Sequence, residues 1–250
     1  MATYVMSDIH GQKKLFDRML KQINFSPEDE LYILGDVVDR GPDGVKMLLK
    51  TKRTPNIHLL MGNHEYMMQN AFKYKDDIDA YFIWMNNGAR TTLAQFKNYT
   101  EKTRVSLLEY ISKLPVEARV TVNGKEFVLC HAQPHPTSFK NDPFENFFVG
   151  TQYVTDEEFS VWQRYADINS MNEDRTIGII PDDNFKDKTV VFGHTPVCYY
   201  PDYKGAPNMV RHENNTINVD CGCAAIPYEE GNGRLACLRL DDMQEFYINP

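Results

Sequence analysis

Leu31-Tyr32-Ile33-Leu34-Gly35-Asp36-Val37-Val38-Asp39-Arg40-Gly41 runs from a short apolar, strand-like segment into a turn carrying two carboxylates and a guanidinium. The layout recurs on both sides. Upstream, Thr3-Tyr4-Val5-Met6 leads into Ser7-Asp8-Ile9-His10-Gly11, and downstream, Ile57-His58-Leu59-Leu60-Met61 leads into Gly62-Asn63-His64-Glu65. Apolar residues at helical spacing follow each cluster, over Lys14 to Ile23, Val45 to Leu49 and Tyr66 to Phe72. Strands alternating with helices predict an α/β fold with a largely parallel sheet, whose ligands bind beyond the C-terminal strand ends. All three polar clusters fall there. An ionised carboxylate buried without a partner is very costly, so this concentration of polar groups asks for a compensating cation.

With 250 residues, 42% of them hydrophobic, the chain is long enough for a full core, and a single domain over 1–250 is expected. A formal net charge of −8 argues against a nucleic-acid partner, which needs a basic face to neutralise phosphates. Met1-Ala2-Thr3-Tyr4-Val5 enters the first motif without a basic segment and a long apolar run, so no signal peptide is expected. No run approaches the ~18 apolar residues of a membrane span. The five cysteines, Cys130, Cys198, Cys221, Cys223 and Cys237, are an odd number and read as free thiols, which points to a reducing cytoplasm. The oligomeric state stays open.

From Lys73 to about Pro115 the pattern becomes helical, with apolar faces at Ile78-Tyr81-Phe82-Trp84-Met85 and Val105-Leu108-Ile111-Leu114. This reads as a helical insertion or cap. Asp76, Asp77 and Asp79 read as a solvated turn before a helix start rather than a ligand set. Strands return over Ala118 to Val122 and Glu126 to Cys130, joined by Asn123-Gly124, a strong hairpin signal. Residues 133–160 read as a long surface loop, of a length that is often functional. Val190 to Phe192, Thr216 to Val219, Arg234 to Leu240 and Glu245 to Ile248 complete a β-rich C-terminal half.

That half adds two strand-end histidines, His131 after Leu129-Cys130 and His194 in Gly193-His194-Thr195-Pro196. Either one alone reads as a hydrogen-bonded structural residue. Joined to Asp8, His10, Asp36 and Asn63, they make six nitrogen and oxygen ligands, a set suited to first-row divalent ions.

The ordered series Asp-x-His-Gly, Gly-Asp-x-x-Asp-Arg-Gly, Gly-Asn-His-Glu, a strand-end His and Gly-His-Thr-Pro, spread from Asp8 to His194, resembles the phosphoprotein phosphatase family of calcineurin-like metallophosphoesterases, in particular its small bacterial and phage members. The resemblance implies a β-sandwich of mixed sheets flanked by helices, with two metal ions at one edge. One ion would be held by Asp8, His10 and Asp36, the other by Asp36, Asn63, His131 and His194, so that Asp36 bridges. It further implies that Arg40 holds the substrate phosphate, that Arg164, in Val161-Trp162-Gln163-Arg164, is a second phosphate-binding arginine, that His64 protonates the leaving oxygen and that Asp39 orients His64. Manganese is the first expectation for the two divalent ions; iron and zinc suit the same ligand types.

The residue types match the chemistry. Two cations about 3.5–4 Å apart can share and acidify one water while clamping the attacked phosphoryl group. A guanidinium fork holds two phosphoryl oxygens at once, and a carboxylate beside an imidazole favours its charged form. Three functions are carried forward. The leading one is a metal-dependent phosphatase of phosphoserine and phosphothreonine, with phosphotyrosine as an extension, acting on a phosphorylated protein or a small phosphoester by attack of a hydroxide held between the two metals. The second is a symmetrical bis(5'-nucleosyl)-tetraphosphatase, although enzymes of that kind, as the resemblance goes, tend to lack the counterpart of Asp39 and to carry Asp where this chain has Glu65. The third is a catalytically inert metal-binding module, which would require the loss of a ligand or of the acid. His58, His135 and His212 match no motif and stay outside the site. Cys221-Gly222-Cys223 lacks the second cysteine pair of a tetrahedral site. Asp220 reads equally as a turn former or as a residue just behind the ligands.

Overall fold

The computed structural model describes residues 1–74, 77–135, 155–164, 185, 187–200, 203, 207–225 and 233–249. In chain order the elements are β1 (Thr3–Met6), α1 (Lys13–Gln22), β2 (Glu30–Ile33), α2 (Gly44–Arg53), β3 (Ile57–Leu59), α3 (Asn63–Lys73), α4 (Ile78–Asn86), α5 (Arg90–Phe96), α6 (Glu101–Ile111), β4 (Glu117–Val122), β5 (Lys125–Cys130), α7 (Asp156–Trp162), β6 (Lys188–Phe192), β7 (Arg211–Glu213), β8 (Thr216–Asn218), β9 (Leu235–Arg239) and β10 (Gln244–Ile248).

They build two five-stranded mixed sheets, one ordered β10-β9-β1-β2-β3 and the other β4-β5-β6-β8-β7. Parallel pairing is confined to β1, β2 and β3 in the first sheet and to β5, β6 and β8 in the second. The remaining pairs are antiparallel. Because strand side chains alternate between faces, Val5 joins Leu129, Val191 and Leu238 between the sheets, while Tyr4 and Met6 join Phe16, Met19 and Met67 under the helices. A sheet buried on both faces needs the near-continuous apolar runs seen in β1 and β2. The registers Met6 to Ile33 and Ile33 to Leu59 end three parallel strands side by side, and Leu129 to Val191 aligns the ends of β5 and β6. This alignment brings five polar segments to one edge.

The Asn123-Gly124 hairpin is present, with both residues at positive φ as a two-residue turn of this kind requires. Helix α3 starts at Asn63 rather than at Tyr66, because the Glu65 side chain turns back to accept the Gly62 amide and fixes a first turn around the polar residues. The 73–115 segment holds α4, α5 and α6, and Pro115 returns to bond the Met61 amide. Asp77 caps α4 by accepting the Asp79 and Ala80 amides, in keeping with a turn before a helix, while Asp76 lies outside the described residues. The expected 133–160 loop is corrected at its end: Thr155 caps α7 through its hydroxyl, so residues 156–162 are helical. Residues 136–154 lie outside the described ones. The short strand β7 carries little apolar signal and exists by pairing with β8. Among the described residues no helix is long and apolar enough to cross a membrane, and Cys130, Cys221, Cys223 and Cys237 are buried free thiols.

Candidate metal centre

The turns leaving β1, β2 and β6 at this edge depart from ordinary backbone. Asp8, His10, Asp36, Asp39, Arg40 and His194 all have positive φ, between 45° and 66°. For residues with a Cβ this conformation is uncommon and carries strain that surrounding structure must hold. Cross-bonds between the turns after β1 and β2 do so: the His10 amide donates to the Asp36 carbonyl at 2.8 Å and the Gly11 amide to the Val37 carbonyl at 2.9 Å. A Cβ at Gly193 would collide with the Ser7 and Asp8 side chains, so only glycine lets the turn after β6 approach the turn after β1.

Glu65 is the buckle of this assembly. Fully buried, it accepts the amides of Asp36 at 2.7 Å, Val37 at 2.9 Å, Val38 at 3.2 Å and Gly62 at 3.2 Å. It thereby fixes the loop that presents Asp36. Burial pushes its carboxyl up to about 7, against the pull of those amides.

Three imidazoles point lone pairs into one space. His10 Nδ1 bonds the Val38 carbonyl at 2.9 Å, His131 Nδ1 the Leu34 carbonyl at 2.7 Å and His194 Nε2 the Trp162 carbonyl at 3.1 Å. A nitrogen facing a carbonyl carries the proton, so the other ring nitrogen of each is an acceptor. His131 Nε2 and His194 Nδ1 then face each other at 3.2 Å, with Asn63 Oδ1 2.9 Å from His131 Nε2. Acceptors converging at this distance repel unless a cation lies among them. Burial holds His10, His131 and His194 below the ordinary imidazole range, so they stay neutral and ready to ligate.

Asp36 joins the two halves. One carboxylate oxygen lies 3.4 Å from His10 Nε2 and the other 3.6 Å from His131 Nε2. Two sets of donor atoms, His10-Asp36-His64 and Asp36-His131-His194, each lie within 4.8 Å of one another. Burial, reinforced by Asp8 and Glu65, pushes the Asp36 carboxyl well above the usual carboxylate range. This buried set of nitrogen and oxygen donors, with several carboxyl groups close together, fits two divalent cations. Asp8 accepts the His194 amide at 2.9 Å and lines the same cavity of about 250 Å³ together with His10, Asp36 and Asn63. Within the first set it is His64, rather than Asp8, whose ring nitrogen comes close to Asp36, at 3.8 Å.

His64 has a different second partner. Its Nδ1 meets Asp39 Oδ2 at 2.7 Å, and both side chains are fully buried. Burial pushes Asp39 up to about 7, opposed by hydrogen bonds from Thr92 and Trp84. Burial and Arg40 hold His64 below the ordinary imidazole range. Arg40 spans the mouth of the cavity with Nη1 3.1 Å from His10 Nε2 and Nη2 3.0 Å from His64 Nε2. Arg164 also lines the cavity, donating through Nη1 to the His194 carbonyl and the Thr195 hydroxyl, each at 3.0 Å. All ten expected site residues therefore surround one cavity or stand directly behind it.

Asp220 also lines that cavity, its Oδ1 accepting the Gly222 amide at 2.9 Å as in a turn. Burial and Asp8 push its carboxyl well above the usual range. The turn reading of Asp220 is what its bonds show, on a residue that also lines the cavity. The remaining histidines are elsewhere: His58 pairs with Glu30 at 2.6 Å and His212 with Glu245 at 2.8 Å, and the His135 amide donates to Glu117. Sequence reasoning passed over Glu65 as a buckle, although a glutamate three residues after a helix-capping position was the available signal. It also passed over Trp84 and Thr92, whose links to Asp39 span 45 and 53 residues.

The calcineurin-like phosphoesterase family model matches residues 1–222. Serine/threonine-protein phosphatase 2 of Salmonella typhimurium is 30% identical over 203 residues, covering 78% of this chain and 80% of the relative. A symmetrical bis(5'-nucleosyl)-tetraphosphatase of Acidovorax sp. is 31% identical over 53% of this chain, and the match spans only 44% of that relative's length. A protein serine/threonine phosphatase structure from Saccharomyces cerevisiae superposes with a TM-score of 0.57 at 18% identity, covering all of this chain and 79% of the other. That likeness concerns the fold.

Proposed function

This chain belongs to the calcineurin-like phosphoesterases, metal-dependent hydrolases of phosphoesters, and from that premise we propose that it is a phosphoprotein phosphatase acting on phosphoserine and phosphothreonine. The observation that carries the reading is the buried Asp39–His64 pair, 2.7 Å apart, standing directly behind Asp36 and Arg40 of the cavity, where Asp36 belongs to both donor sets. The Salmonella phosphatase, matched over 80% of its own length, supports the same choice.

Asp8, His10 and Asp36 would hold one divalent cation, and Asp36, Asn63, His131 and His194 the other, with manganese proposed as the native ion. When bound, the pair supplies the Lewis acidity that makes water nucleophilic near neutral pH and offsets charge on the phosphoryl group. Arg40 and Arg164, both lining the cavity, grip phosphoryl oxygens and orient the ester. With its Nδ1 proton kept on Asp39, His64 takes up a second proton at Nε2, one that the attacking water must lose, and hands it to the departing serine or threonine oxygen; Asp39 offsets the charge of that imidazolium and keeps the ring turned. The thiols support a reducing compartment, the cytoplasm.

Parallel turnover of a phosphoseryl peptide, a phosphotyrosyl peptide, diadenosine tetraphosphate and an aryl phosphate tests the assignment. The phosphoseryl peptide should show the highest kcat/KM among the biological substrates. A preference for diadenosine tetraphosphate would instead place the chain with its tetraphosphatase relatives.

A further inference from the structure

The Trp84 indole lies 45 residues from Asp39 in sequence, yet its Nε1–H donates to Asp39 Oδ2 at 2.9 Å. That oxygen is the one that meets His64 Nδ1 at 2.7 Å. Trp84, Asp39 and His64 are all fully buried, so this chain of hydrogen bonds is closed to water. The Thr92 hydroxyl takes the Asp39 amide at 2.8 Å, and the Gly88 carbonyl takes the Arg40 amide at 3.0 Å. Both belong, like Trp84, to the stretch running from α4 into α5. We propose that Trp84 is a positioning residue for proton transfer, holding the Asp39 carboxylate at the angle that turns His64 Nε2 toward the leaving oxygen.

The physical case is geometric. A carboxylate with a single imidazole partner can rotate about its Cβ–Cγ bond and carry the imidazole with it. A second donor on the same oxygen removes that freedom, and a charge-assisted bond in a dry interior is among the stronger ones. Trp84 also packs edge-on against Phe72 at 5.6 Å, so its ring has a structural duty separable from its N–H.

The inference rests on His64 as proton donor, and the test separates the two. Trp84→Phe keeps a ring and removes the donor, and benzothienylalanine at position 84 keeps the indole shape with sulfur in place of N–H, which guards against a folding defect. Turnover is compared on an alkyl phosphate, whose leaving oxygen needs a proton, and on an aryl phosphate with an acidic phenol, which does not. Both replacements should lower kcat on the alkyl ester by about tenfold, the scale of one hydrogen bond to a charged group, with far smaller losses on the aryl ester and unchanged metal content. In an Asp39→Asn background the replacement should add no further alkyl-specific loss. Equal losses on both esters, or none on either, would overturn the role of Trp84 while His64→Asn and Asp39→Asn still discriminate between the esters. If His64→Asn itself fails to discriminate, the proton-donor reading falls and this inference falls with it.

Discussion

His64 carries Asp39 on one ring nitrogen and meets the cavity-lining Arg40 with the other, which gives the clearest expectation at the scale of a single residue. His64→Asn should lower kcat on phosphoserine by roughly 10²–10⁴, the contribution of a positioned proton donor, and leave both metals bound. Stopped assays paired with elemental analysis check both halves. Arg164 is anchored to the His194 carbonyl and the Thr195 hydroxyl, so its guanidinium is oriented before substrate arrives. A hydrogen bond to a charged phosphate contributes on the order of 1.5–3 kcal/mol, so Arg164→Ala should reduce kcat/KM by roughly ten- to a hundredfold and weaken inhibition by inorganic phosphate. Wild-type phosphate inhibition in that variant would remove Arg164 from the site. The proposed ligand residues were legible in the sequence because they follow apolar strand runs, four of them (His10, Asp36, Asn63 and His194) beside a glycine. Their partners were not, since Trp84 and Thr92 meet Asp39 only through the packing of a segment 45 to 53 residues away.

At the scale of elements, the loop between β2 and α2 is held from outside by the first turn of α3. Glu65→Gln would set an amide N–H against backbone donors that now find carboxylate oxygens, leaving buried groups unsatisfied at about 1–3 kcal/mol each. Destabilisation of more than about 2 kcal/mol is expected in urea unfolding, together with reduced metal occupancy, although Glu65 is not among the proposed ligands. Full occupancy in a destabilised Glu65→Gln protein would show that the buckle is structural alone. The alternating strands and helices, the hairpin and the helical insertion were readable from periodicity and turn chemistry. The helical start of α3 and the short helix α7 were not, because their first turns consist of polar side chains that read locally as loop.

For the whole molecule, two sheets ending at one edge gather several carboxylates and imidazoles around one cavity, and the electrostatics of that gathering has a sign. Raised above its ordinary range by burial, the Asp36 carboxyl retains a proton in the cation-free protein at pH values where a free carboxylate would be ionised, whereas the neighbouring imidazoles are already neutral. Cation binding should therefore expel protons from carboxyl groups, and affinity should rise with pH until those groups ionise unaided. Calorimetric titration of the chelated protein in buffers of differing ionisation enthalpy counts the protons. Uptake of protons, or none at all near pH 6, would contradict the assignment.

The central claim is that Asp36 joins two cations that together support hydrolysis. Its most direct test is metal stoichiometry measured alongside activity, on the chelated protein reloaded with Mn²⁺ and on its Asp36→Asn variant. The account predicts two equivalents of manganese with activity restored in the native protein, and lowered occupancy with activity abolished in the variant; full activity with no bound transition metal, or an active Asp36→Asn protein, would contradict it.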